Sequence, residues 1–257
     1  MDSIGKREQY EQLEACSSIT PHLPYTLTYS SKALDEMLNS YNTIYVKHNT
    51  SGQGRGVYKL AKMEANQYAL HGYGIGGQPI QVVGDMDTIT RALQPLQSIG
   101  HYYDYIVQEA IPSIGADGTP LIIRHHMQKL GEKWVVGGSL GVIAPSSSKD
   151  GVVNRSRKGT VITTDILLSE ILQMPRNKLT AKKEELDALA TLAVSCIGKE
   201  IADQELGVDF GITADGLIYI FEVNRQPEVK GFYQLDKNLY RKIMNHRGWM
   251  KRNNSMK

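Results

Sequence analysis

Cysteine, net charge and long apolar runs are all scarce in this chain. Its 257 residues include two cysteines, Cys16 and Cys196, which stand far apart and lack metal-ligand spacing. That pattern predicts unpaired thiols in a reducing compartment, with Cys196 inert among helix-core positions. The formal net charge is only +2, too small to imply nucleic acid as a partner. Residues 1 to 12 are polar and carry no apolar signal core, and no run approaches membrane-spanning length. These absences predict a soluble cytoplasmic protein without a membrane segment. No internal repeat stands out, and the longest low-complexity patch is Ser146-Ser147-Ser148.

What is present is ordinary in bulk: 41% hydrophobic and 22% charged residues, with enough length for one large domain or two lobes. "GKREQYEQLEAC" has helical character, and "SSKALDEMLNSY" predicts a short helix with Leu34, Met37 and Leu38 inward. "TIYVKHNTSGQGRGVYKLAKM" reads as strand, glycine loop, strand. "QYALHGYG" predicts a strand and "DMDTITRALQPL" a helix capped by Asp85 or Asp87. "DYIVQEAIPS" predicts a buried strand ending at Pro112. "PLIIRHHMQK" and "KWVVGGSLGVIA" are further strands joined by a turn at Gly131, before a polar loop from Pro145 to Lys158. The clearest helix follows Thr180, taken as its cap, with Leu186, Leu189, Ala190, Ala193, Ile197 and Ile201 in one stripe. Helices mixed with hairpins predict an α+β chain and not a regular βαβ winding.

The chemistry concentrates in "LGVDFGITADGLIYIFEVNRQP". Asp215-Gly216 favours a two-residue hairpin turn, which pairs Thr213 with Ile218 and sets Asp209 opposite Glu222. Two carboxylates about 5 Å apart repel by about 3 kcal/mol at an effective dielectric of 20. Surface acids are usually just solvated, but both strands here are apolar enough to be buried. A cation between the acids would relieve the repulsion, and Asn224 adds a neutral oxygen on the same face. Such hard donors suit Mg²⁺, which takes one or two carboxylates plus phosphates and water.

The loop "NTSGQGRG" matches neither the phosphate loop nor the dinucleotide fingerprint, because a strand follows it. Alone, it reads as a mobile hairpin tip. Lys47 changes that: it sits on the strand before the loop, after Ile44 and Val46, where a point charge beside a glycine flap suits a polyphosphate. His125 and His126 fall on opposite strand faces, so they do not share a metal and take packing or surface roles. The basic tail from Lys237 to Lys257 reads as a solvated helix end, with nucleic acid or an acidic partner a weaker alternative.

Lys47 with its glycine loop, "VQEAI", Arg124 in "LIIRHHM", Asn154 in "VVNRSRKG" and Asp209…Glu222-Val-Asn224 resemble the ATP-grasp enzymes in order. "GKREQYEQL", "YVKHNTSGQGRGVYKL", "ELGVD" and "FEVNRQP" are closest to the YheC/YheD family, the endospore-associated ATP-grasp proteins, over nearly the whole chain. The resemblance implies two α+β lobes, residues 1–107 and 108–257, with the nucleotide between them. It implies that Lys6 and Lys47 bind ATP phosphates under Gly52, Gly54 and Gly56. Gln108, Glu109, Ala110 and Ile111 would hold adenine and ribose, and Asp209, Glu222 and Asn224 would hold Mg²⁺. Arg124 and Asn154 would reach the terminal or acyl phosphate, with Arg155 supplying further positive charge. The implied reaction is carboxylate activation by ATP, then amide formation with an amine, on small-molecule or peptide substrates.

Four departures from the family pattern stand out. The usual preceding N-terminal domain is not in this chain, so a second copy, a separate protein, or a large polymeric substrate docked on Arg155, Arg157 and Lys158 is expected to cover the substrate side. "VVGGSLGVIA" offers Ser139, Leu140 and Gly141 where many relatives carry a second arginine. Lys158-Gly159 stands where a glycine pair commonly follows the asparagine. Glu228 replaces the glycine usual after "NRQP". Nucleotide binding is therefore better preserved than phosphoryl transfer, and the alternative is a nucleotide-binding structural or regulatory spore protein with little ligase activity.

Overall fold

A computed structural model describes residues 4–146, 148–197, 203–225 and 227–254. The chain divides into two compact units, Met1–Tyr10, Pro24–Ile111 and Ser146–Asn154 in one, Glu11–Leu23, Pro112–Pro145 and Arg155–Lys257 in the other. The first holds a six-stranded antiparallel sheet, built from β1 (Thr26–Thr28), β2 (Thr43–His48), β3 (Val57–Lys62), β4 (Tyr68–Tyr73), β5 (Pro79–Gly84) and β6 (Tyr105–Glu109). Its spatial order is β1-β6-β2-β3-β4-β5. Strand β5 is an edge that begins at a proline, and its alternate residues Ile80 and Val82 pack against the core cluster.

Two helices of this unit follow their sequence signals. In α2 (Ser31–Ser40) the Ser30 hydroxyl accepts from the Ala33 N–H, and Leu34, Met37 and Leu38 are buried. In α3 (Met86–Leu93) the cap is Asp85, whose carboxylate accepts from the Thr88 N–H at 2.9 Å. Both helices bury their stripes in one cluster with Ile44, Val46, Leu60 and Val107, so they cover the same face of the sheet. Helix α1 (Lys6–Glu14) starts in this unit and ends in the other.

The second unit holds a five-stranded antiparallel sheet in the order β11-β10-β7-β8-β9. Its strands are β7 (Leu121–Leu130), β8 (Lys133–Ile143), β9 (Thr160–Ile162), β10 (Glu205–Ile212) and β11 (Ile218–Arg225). The short α4 (Thr164–Ile166) precedes α5 (Arg176–Ile197), which packs on β7, β8 and β10. Helices α6 (Lys230–Leu235) and α7 (Lys237–Asn254) pack on β8, and α7 also on β7. Helix α5 begins four residues before Thr180, which is therefore inside the helix and does not cap it. Leu186 to Ile197 form the buried stripe as expected, while Ile201 lies outside the described residues.

The cysteine expectation is overturned. Cys16 and Cys196 form a disulfide with their Cα atoms 6.7 Å apart. Residues 11–23 belong to the second unit, where Leu13 and Ile19 are buried and His22 Nδ1 donates to the Ile218 carbonyl at 2.9 Å. This docking brings Cys16 to the end of α5. A pairing across 180 residues is a product of tertiary structure and leaves no local spacing to read. Among the described residues no helix is long and apolar enough to cross a membrane.

Candidate functional site

In the first unit, strand alternation sorts the expected ligand-binding side chains. Val46 faces Val107 within the helix-covered cluster, so Tyr45, Lys47 and Gln108 take the other face. There Lys47 Nζ donates to Gln108 Oε1, and Gln108 Nε2 donates to Thr26 Oγ1 at 2.9 Å. The ammonium also lies 5.8 Å from the Tyr45 ring centroid, within cation–π range. Lys47 thus stands on a prepared polar face. Glu109 has the opposite parity, opposite Ile44, and its Oε2 accepts from the Tyr25 N–H at 3.2 Å. Ala110 and Ile111 lie past the end of β6.

The glycine loop is pinned at its root by Asn49, a residue read from sequence only as the loop's start. Asn49 is 4% exposed; its carbonyl accepts from the Lys6 N–H and its Oδ1 from the Arg7 N–H, both at 2.9 Å. Its Nδ2 donates to Asp104 Oδ2 at 2.9 Å. Lys6 Nζ donates to the Ser51 carbonyl at 2.5 Å, which sets this ammonium against the loop itself. Burial, then the Lys6 charge, push the neighbouring His48 below the ordinary histidine range. Gln53, Gly54 and Gly56 have positive φ, while a Cβ at Gly52 would meet nothing within 4 Å. The loop is fixed at its base and open at Gly52.

Asn154 ends the segment that closes this unit. Upstream, the buried Asp150 carboxylate accepts from the Val152 N–H at 3.2 Å, and the Asp150 carbonyl accepts from Tyr45 Oη at 2.9 Å. Gly151 (φ +68) has no room for a side chain, since a Cβ would sit 2.5 Å from that hydroxyl.

In the second unit the acids stand where the hairpin pattern sets them, by a different route. Asp209 pairs with Glu222, but nearer the turn the register slips, so that Ile212, not Thr213, faces Ile218. The turn is longer than two residues, with the Thr213 N–H donating to the Leu217 carbonyl. A bulge at Phe221 restores the pairing. The bulge is made possible by Gly211, whose Cβ would lie 2.1 Å from Phe221 Cζ.

Arg124 on β7 is also opposite Asp209, so Arg124, Asp209 and Glu222 form one row across three strands. Arg124 Nε and Nη2 donate to the two Asp209 oxygens, each at 2.6 Å, and Asn224 Nδ2 donates to Oδ2 at 3.0 Å. Asp209 above all, with Glu222 and Glu228 adding to it, raises the Arg124 pKa and keeps it cationic. Arg155 forks onto Glu228: Nε donates to Oε2 at 3.1 Å and Nη2 to Oε1 at 2.5 Å. The cluster therefore sets three carboxylates against two guanidiniums. Among the described residues no three His, Cys, Asp or Glu side chains are placed to hold a metal by themselves. Two carboxylates, Asp209 and Glu222, and the Asn224 oxygen fit a cation that completes its shell with phosphate and water, as Mg²⁺ does.

His125 and His126 point to opposite faces as expected, yet both are buried. His125 Nε2 donates to Asp187 on α5 at 2.8 Å and His126 Nε2 to Glu205 on β10 at 3.3 Å. They hold helices and sheet together.

Comparisons agree with this architecture. The YheC/D-like ATP-grasp family profile matches residues 2–247. The chain is 26% identical over 236 residues to the endospore coat-associated protein YheD of Bacillus subtilis (strain 168), covering 87% of this chain and 48% of YheD. D-alanyl-alanine synthetase A from Vibrio cholerae O1 biovar eltor str. N16961 superposes with TM-score 0.53 at 16% identity, covering 95% of this chain and 60% of that one. The ATP-grasp ligase PsnB, solved with a phosphomimetic variant of its minimal precursor, Mg and ADP, gives TM-score 0.51 at 12% identity, covering 95% and 58%. The chain spans about half the length of the curated relative it matches, and the structural likenesses speak to fold.

Proposed function

The chain belongs to the YheC/D-like ATP-grasp family, and from that premise we propose that it is an ATP-dependent carboxylate–amine ligase. The observation that carries this reading is the cross-strand row Arg124–Asp209–Glu222 with Asn224 beside it. Arg124 answers one of the two opposed carboxylates, which leaves the row a net negative charge that a further cation would offset. Asp209, Glu222 and Asn224 would hold Mg²⁺ with the nucleotide; once bound, it neutralises phosphate charge and orients the oxygens.

Lys47 supplies a fixed positive charge for a phosphate, held in line by Gln108, and Lys6 a second one at the glycine loop. The exposed Gly52 lets backbone N–H groups approach phosphate oxygens. The peptide groups after β6 would hold adenine, and the opposite parity of Gln108 and Glu109 leaves only the former side chain beside Lys47. Arg124, Asn154 and Arg155 would stabilise charge developing on the transferred phosphoryl and on the acyl phosphate. On this reading a carboxylate oxygen of the substrate attacks the terminal phosphorus of ATP and the bond to ADP breaks. An amine then attacks the acyl carbon, the C–O bond to phosphate breaks, the nitrogen loses its proton to solvent, and amide, ADP and inorganic phosphate leave.

The substrates on this reading are small-molecule or peptide carboxylates and amines, and the naming of YheD supports a place in the spore coat. ADP release tested with a panel of amino acids and spore-derived peptides decides the matter. Substrate-dependent ADP supports the ligase. One observation favours the second reading, a nucleotide-binding spore protein with little turnover: both arginines assigned to phosphate already carry a carboxylate. Tight MgATP binding with no substrate-stimulated ADP would establish that reading and remove the ligase.

A further inference from the structure

We propose that Glu228 is a resident carboxylate occupying the ligand-binding fork of Arg155, and that an anionic group of the substrate must displace it. The inference rests on the ligase reading, in which Arg155 is an anion-binding residue. Its two N–H groups engage both Glu228 oxygens, the same bidentate geometry that a substrate carboxylate or an acyl phosphate would use.

Burial separates the two arginine pairs. The Arg124 and Asp209 side chains are 19% and 10% exposed, whereas those of Arg155 and Glu228 are 25% and 52% exposed. A largely buried bidentate pair is not undone by a competing ligand, because the charge left behind would be stranded. An exposed pair is worth little and exchanges readily. Arg124 is thus a fixed part of the acid row, and Arg155 is the exchangeable cation.

The local fold holds Glu228 where it can act. Gly207 on β10 has no side chain, and a Cβ there would lie 3.0 Å from the Pro227 Cβ, so the chain after β11 folds closely over the sheet. Gly231 at the start of α6 likewise accommodates Leu140 and the Arg155 stem, with a Cβ position 3.1 Å from Leu140 Cδ2 and 3.9 Å from Arg155 Cδ. Glu228 lies between these two close approaches. Its charge also reaches Arg124, after those of Asp209 and Glu222. The resident acid therefore sets a threshold: the site admits ligands that offer a full negative charge and discriminates against neutral ones.

The experiment titrates orthophosphate and succinate, at constant ionic strength, into the wild-type chain, Glu228→Gln, Glu228→Ser and the double variant Glu228→Gln/Arg155→Gln. Each single variant should bind both probes about fivefold more tightly than wild type, the scale of an exposed ion pair. The double variant should lose the gain. Equal affinities for wild type and both single variants, a gain that survives loss of Arg155, or no probe binding to any variant would overturn the proposal. MgATP affinity, measured alongside, separates the two failures. MgATP bound by all variants with unchanged probe affinity defeats only the role of Glu228. No MgATP binding even to wild type defeats the nucleotide reading itself.

Discussion

Lys47 and Glu222 make opposite demands on the fold, and each can be tested alone. Lys47 has partners in Gln108 and the Tyr45 ring, and the buried Gln108 keeps its bond to Thr26 Oγ1 when the lysine is removed. Lys47→Ala should stay folded while its MgATP affinity, read by calorimetry, falls at least tenfold, or about 1.4 kcal/mol. Unchanged affinity would take Lys47 out of the site. Glu222 is the acid of the row that Arg124 does not fork onto; both guanidinium bonds go to Asp209. Glu222→Gln removes one of the two opposed charges while Asp209 keeps both of its bonds to Arg124, so that guanidinium is not stranded. The variant should melt at or above the wild-type temperature without ligand, and should lose the stabilisation that MgATP confers. A full ligand-induced shift in Glu222→Gln would mean that the hairpin does not hold the metal. The opposition of Asp209 and Glu222 was legible in sequence only because two departures from simple counting, a longer turn and a bulge at Phe221, cancel. Arg124 was expected from the family resemblance to meet phosphate, and its bond to Asp209 was not legible because it depends on β7 lying beside β10.

At the scale of elements, local signals served best where one helix or hairpin decides its own geometry. The caps of α2 and α3 and the stripe of α5 follow from side-chain chemistry within a few residues. The hairpin shows how far that goes. Its longer turn shifts the register by one, and only the Phe221 bulge over Gly211 brings Asp209 back to Glu222. Composition does not announce a bulge. Helix α7 reads from sequence as a solvated basic end, yet one face of it is latched to the sheet. Arg247 Nε donates to Glu205 Oε1 and Oε2 at 2.9 and 2.8 Å, and the buried Gln128 donates to Glu205 Oε1 at 2.6 Å and to the Ile243 carbonyl at 3.0 Å. Burial alone would raise the Glu205 pKa, but the bonds from His126, Arg247 and Gln128 outweigh it and hold the carboxyl at about 2, below its usual 4.5. The unfolded chain takes up this proton first as pH falls. The latch therefore contributes fully above about pH 4.5 and is lost as pH drops towards 2. Its worth is about 2 kcal/mol, after allowing for solvent at its open edge. Denaturant titrations between pH 5 and 2 should show this loss in wild type, as a component absent from Glu205→Gln. The same slope in both proteins would show that the latch adds nothing.

For the molecule as a whole, the feature hidden from the sequence is the covalent one. Two cysteines 180 residues apart carry no local sign of pairing, and scarcity argued for free thiols. The structure joins them because residues 11–23 pack into the second unit, with Leu13 and Ile19 in its core and His22 bonded to β11. By chain entropy a cross-link closing so long a loop removes more freedom from the unfolded state than a short one, about 5 kcal/mol on that model. Noncovalent contacts remain after reduction, so the segment should stay docked in the native state, and the loss should show in unfolding. Native protein should yield no titratable thiol until it is reduced. Reduction, or the paired change Cys16→Ser/Cys196→Ser, should lower the denaturant midpoint while MgATP affinity stays within twofold of the oxidised protein. The separation follows from the elements involved: the disulfide ties residues 11–23 to the end of α5, and neither segment carries Lys47 or a residue of the acid row. Two free thiols in the native oxidised protein, or equal midpoints with and without reductant, would refute the staple. A large fall in MgATP affinity on reduction would instead mean that α1, which carries Lys6 at its first position, transmits the state of the disulfide to the glycine loop.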